Sequence, residues 1–161
     1  MPGIDACLHE AMSLPGARGA AIVDWTSGLA LGTAGESPNG DYEATAAETA
    51  ELARAAAEFT AFAPAPVPGR PAARGGRDGH SVHGATGPAG GGGPTDSGDP
   101  DKGPPVEDLI VTTRTGYHIV SFVDTTFDSS VFLHLWLDRD RGNLALARLR
   151  LRQLAERLVL E

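Results

Sequence analysis

The chain has 161 residues and a formal charge of −8, from 21 acidic and 13 basic side chains; that balance argues against a non-specific nucleic-acid binder, which carries a basic footprint. One cysteine, Cys7, cannot form an internal disulfide, so a cytoplasmic protein is expected. No apolar run nears the ~18–20 residues of a membrane span, which argues against direct membrane insertion, and the N-terminus lacks the basic-then-apolar pattern of a signal peptide.

Ile4 to Leu14 reads as a short helix with Ile4, Cys7, Leu8 and Ala11 on one face. Asp5 stands in its first turn, where a carboxylate suits the helix dipole. Pro15-Gly16 stops it. Gly19 to Asp24 is a strand, and its apolar run Ala20 to Val23 suits a central or doubly covered position. Trp25 to Gly28 is a tight turn with Gly28 supplying positive φ, and Leu29 to Ala34 is the return strand. After a polar loop, Asp41 to Phe62 is a long helix with Asp41 as its N-cap.

That helix carries two apolar stripes. Ala46, Ala50, Ala53 and Ala57 make one; Thr45, Thr49, Leu52, Ala56 and Phe59 make another, about a third of a turn away. A helix packed only on its own sheet needs one stripe. Two point to a second contact, so Ala46, Ala50, Ala53, Ala57, Thr49, Leu52 and Ala56 are candidate dimer-interface residues. The plainer alternative is that alanine is simply a strong helix former.

Ala63 to Pro105 is rich in Gly and Pro and has no aromatic residue. It cannot bury enough apolar area to offset an ordering cost of about 1–2 kcal/mol per residue, so a disordered insert is expected there. Glu107 to Thr113, Tyr117 to Val123 and Val131 to Leu137 then read as three strands. In the last, Val131, Leu133, Leu135 and Leu137 share one face, and Phe132, His134 and Trp136 the other. A helix from near Asn143 follows, with Leu144, Ala147, Leu151, Leu154 and Leu158 along one stripe. The order α-β-β-α-β-β-β-α predicts an α+β fold, a central five-stranded antiparallel sheet with helices on its faces. Residues 1–62 and 106–161 are expected to form the two parts of one domain, with residues 63–105 as the disordered insert between them.

No catalytic constellation stands out, and no cofactor or metal site is expected. His80 and His83 have ligand-like spacing but lie in a Gly-rich stretch with only Asp78 close by. Gly90 to Gly93 lacks the Gly-Lys-Ser/Thr ending of a phosphate-binding loop. Cys7 reads as a buried thiol, and His118 and His134 as packing or surface residues of strands. The Asp138 to Arg141 turn and the arginines of the last helix read first as solvated charge, with an acidic partner as the alternative. One Lys (Lys102) beside twelve Arg points to a GC-rich bacterial genome.

Two stretches carry a family resemblance. Leu14 to Asp24, LPGARGAAIVD, followed by Gly28-Leu29-Ala30-Leu31-Gly32, is one. The other is Val131 to Leu137 with Asn143-Leu144-Ala145-Leu146-Ala147-Arg148 and Leu154-Ala155-Glu156-Arg157-Leu158. In this order they resemble the roadblock/dynein light-chain family, including its bacterial gliding-regulator branch. The resemblance covers Ile4 to Phe62 and Val106 to Val159, and the insert departs from the family's short connection. It implies a roadblock-like fold and a homodimer or heterodimer that pairs the long helices and joins the sheets edge to edge. It also implies a non-enzymatic platform for a small Ras-like GTPase. A PAS- or profilin-like sensor, or a general protein-interaction module, is the alternative.

Overall fold

The computed structural model describes residues 2–63, 105–124 and 130–160. The predicted insert, with Asp78, His80, His83 and Gly90 to Gly93, lies outside the described residues, as does most of the loop between Asp124 and Ser130. The elements are α1 (Pro2–Met12), β1 (Ala17–Asp24), β2 (Leu29–Gly35), α2 (Tyr42–Glu58), β3 (Asp108–Thr112), β4 (Gly116–Val123), β5 (Val131–Asp138) and α3 (Leu144–Leu160). They form one antiparallel sheet in the order β2-β1-β5-β4-β3. β1 pairs with β5, so the two ends of the chain meet at the middle of the sheet.

Strand alternation assigns the two faces. Ala20, Ile22, Ile119, Leu133, Leu135 and Leu137 point toward α1 and α3, where they pack with Leu8, Leu151 and Leu154. Ala21, Val23, Val120, Phe122 and Phe132 point the other way, toward α2, and pack with Ala46, Ala50 and Ala53. Cys7 is buried in the first of these cores.

The long helix is shorter than the sequence predicts. α2 stops at Glu58, Phe59 turns to extended backbone, and Thr60–Phe62 forms a separate 3-10 turn. The strongest helix formers end at the Ala55-Ala56-Ala57 run; Phe and Thr, which follow, favour the helix less. Asp41 caps the start as expected: its Oδ1 accepts from the amides of Glu43 (2.9 Å) and Ala44 (3.4 Å). Asn143 caps α3, its Oδ1 accepting from Leu146 N at 3.1 Å.

The two sheet edges differ. β2 carries a bulge at Leu31, because Ile22 opposes Gly32 while Val23 opposes Ala30. β3 at the other edge runs in unbroken register against β4. A bulged edge discourages further strand pairing, and an unbroken one permits it.

Candidate functional site

The α2 face is the candidate site, and the helix faces settle how its residues divide. Ala46, Ala50 and Ala53 are buried against the sheet of their own chain, and Ala57 is partly buried beside them. Their small side chains let α2 lie close to β1. Arg54 fixes one flank by donating to Trp25 O at 2.8 Å. The other flank carries Thr49, Leu52 and Ala56. Thr49 is half-buried, and its hydroxyl donates to Thr45 O at 2.7 Å. Ala56 is buried, whereas Leu52 is 41% exposed. Just beyond, Phe59 and Phe62 are 57% and 51% exposed, with ring centroids 6.3 Å apart. The two stripes thus sit differently: the alanines line the core, and the Thr49–Leu52 flank with the two phenylalanines forms an apolar strip at the surface.

The start of α2 is tied down by a polar knot. Asn39 Oδ1 accepts from Thr45 Oγ1 (2.6 Å), Ser37 Oγ (3.0 Å) and the Asp41 amide (3.2 Å). Under this first turn lies a narrow crevice lined by Gly19, Ala21, Thr45, Ala46, His134 and Trp136. His134 is buried, and its Nε2 is 3.0 Å from Nδ1 of His118 on β4. The ring centroids are 5.3 Å apart and the planes differ by 13°. Centroid separation exceeds the N–N gap by about two ring radii, so the contact runs edge to edge in a shared plane, as a hydrogen bond rather than a face-to-face stack. The acceptor's lone pair points at the donor, so the two nitrogens do not converge on a shared metal ion. Among the described residues no group of three or more His, Cys, Asp or Glu gathers as a metal site. Trp136 stacks beside His118 and carries the Arg18 guanidinium 4.0 Å from its ring centre.

This histidine pair is absent from the sequence reading. Alternation places His118 and His134 on the same face, but only the β4–β5 register, with Val120 opposite His134 and Trp136 opposite His118, brings them together diagonally. The indole N–H of Trp25, in the β1–β2 turn, is also buried, and it has no hydrogen-bond partner among the described residues.

Three of the α3 arginines pair with acidic side chains of their own chain. Arg148 pairs with Asp108 and Arg152 with Glu107, both at 2.5 Å, and Arg157 pairs with Glu10. Arg150 reaches the neutral Gln153 at 3.3 Å. Asp108 is the one well-covered partner, and solvent screens the other pairs; Arg148 and Arg152 tie α3 to β3 and the residue before it. No helix among the described residues is long and apolar enough to cross a membrane.

No protein-family model and no curated protein matches the sequence. Solved structures do match its fold. Myxococcus xanthus MglB superposes with a TM-score of 0.63 at 16% identity, over 98% of this chain and 86% of that one. An MglB solved in a tetrameric arrangement gives 0.59 at 16% identity, over 99% and 89%. A roadblock/LC7 domain from Streptomyces avermitilis gives 0.51 at 16% identity, over 97% and 91%. With the element order, the strand order and the placement of α2 opposite α1 and α3, these likenesses show that the chain has the roadblock/LC7 fold, shared with MglB.

Proposed function

We propose that this protein is a non-enzymatic homodimeric platform that binds a small Ras-like GTPase and modulates its activity or localisation. The observation that supports this most is the apolar strip left over once α2 has covered its own sheet, together with an unbroken β3 edge. Thr49, Leu52, Phe59 and Phe62 offer one surface, and β3, with no outer strand neighbour among the described residues, offers backbone hydrogen-bonding groups at one edge of the sheet. A second copy related by a two-fold axis would present the same groups in return, the usual logic of a symmetric dimer. The alanines Ala46, Ala50, Ala53 and Ala57 then act indirectly, by setting how deep α2 sits. Ala56 lies between the core and the strip.

The GTPase half of the proposal rests on the family resemblance. A roadblock-type partner would act by ordering the GTPase's own switch loops, since no arginine among the described residues is assigned as a catalytic finger. The test is binding and single-turnover hydrolysis with small Ras-like GTPases from the same genome, loaded with GDP or a GTP analogue. Nucleotide-dependent binding, with or without a changed hydrolysis rate, is expected for at least one. No binding and no change in hydrolysis across the set would overturn the proposal.

A further inference from the structure

The ring pair of His118 and His134 has no part in the platform proposal, yet it is built in detail. His134 is 4% exposed and bonds to His118 through nitrogens 3.0 Å apart. Thr45 and Ala46, in the first half of α2, line the same crevice as His134, while His118 is half-buried. At neutral pH one ring donates its N–H and the other accepts with its lone pair. When both rings are protonated every ring nitrogen is a donor, so no acceptor remains and two N–H groups face each other.

We propose that the His118–His134 pair is an acid-sensitive latch that seats the first half of α2 on the sheet, and that mild acidification releases that half of the helix.

The surrounding charges oppose protonation or leave it uncompensated. From β1, Arg18 brings a positive charge to Trp136, the ring beside His118. Glu36, after β2, lines the same crevice as His134, but its carboxylate pairs with Arg18 at 3.0 Å and its side chain remains 67% exposed, and Asp138 at the end of β5 also lies within the field of Arg18. From α2, Tyr42 lines the crevice beside His134. β3 places the uncharged Val111 opposite His118. Among the described residues neither ring has a carboxylate partner.

Burial holds His118 below its ordinary value. Burial, and then the nearness of His118, push His134 from 6.5 down to about 4. A depressed pKa in the closed state means the latch is fully effective above pH 6.5 and weakens as pH falls toward 4. An opening that returns His134 to its ordinary value is favoured about 20-fold more at pH 5 than at pH 7.

The test is amide hydrogen exchange on the full chain at pH 7 and pH 5, corrected for the intrinsic pH dependence of exchange. Protection of the first half of α2 relative to α3 is expected to fall about 20-fold at pH 5. In His118→Phe/His134→Phe, whose rings fill similar space and do not titrate, that ratio is expected to be the same at both pH values. An unchanged ratio in the unmodified chain, or an undiminished response in the double variant, overturns the latch. Should the double variant fail to fold, ring nitrogen resonances of the unmodified chain decide. His134 gaining its proton in step with loss of α2 protection supports the latch; α2 opening while both rings stay neutral overturns it.

Discussion

Gly16 shows how one residue ties the two ends of the chain together. It adopts φ +75°, and a Cβ placed there would lie 2.5 Å from Gly142 N. Its carbonyl accepts from Asp138 N at 2.7 Å, linking the turn after α1 to the end of β5. Gly16→Ala therefore meets both a left-handed backbone penalty of ~1–2 kcal/mol and a backbone clash that no rotamer relieves. A loss of about 2 kcal/mol or more is expected, read as a lower urea midpoint at unchanged slope. The stop signal Pro15-Gly16 is legible in the sequence because turn chemistry is local. The approach of Gly142 is not, because it depends on how β5 and α3 return to the turn. The histidine pair follows the same rule. Each ring's strand and face can be read from alternation, but the partner cannot, since a one-residue slip of β4 against β5 would send one ring to the other face.

At the scale of elements, periodicity carries most of the fold. α3 is the clearest case: its predicted stripe includes Ala147, Leu151 and Leu154, all buried against β4, β5 and α1. Leu151 is 1% exposed, so Leu151→Ala removes a full side chain from a packed layer. The expected cost is about 2–5 kcal/mol, measured by thermal or urea unfolding. Leu149, exposed on the opposite side of the same helix, should change stability by no more than ~0.5 kcal/mol when cut to Ala. Two element-level features escaped the sequence. The end of α2 at Glu58 carries no glycine or proline to mark it. The bulge in β2 arises from its register against β1, which composition does not encode. The predicted second stripe on α2 was legible as a pattern; which stripe faces the sheet was not, because Ala and Thr are both compatible with either role.

At the scale of the whole molecule the question is whether the apolar strip is enough to join two copies. Leu52, Phe59 and Phe62 would contribute at most ~1.5–3 kcal/mol each if wholly buried, and each is already about half covered in one chain. Association costs an estimated 4–15 kcal/mol in lost rigid-body freedom. Three such half-covered side chains per copy supply ~4.5–9 kcal/mol across the pair, no more than that cost, so backbone pairing along β3 has to supply the surplus and a single buried charge should cancel it. Leu52→Asp and Phe59→Asp are both surface changes in one chain and should leave its helices and sheet intact by circular dichroism. Light scattering coupled to size exclusion is expected to give a dimer for the unmodified chain and a monomer for either variant at micromolar concentration. Glu51→Lys, exposed and turned away from Leu52 on α2, is expected to leave the dimer mass unchanged. A dimer that survives both aspartates would move the contact away from α2, and a monomeric unmodified chain would remove the symmetric platform altogether. The same experiment at pH 5 separates the two ideas about α2: the latch frees only the first half of the helix, and Leu52, Phe59 and Phe62 lie beyond it, so the dimer mass should hold on acidification while amide protection of that first half falls.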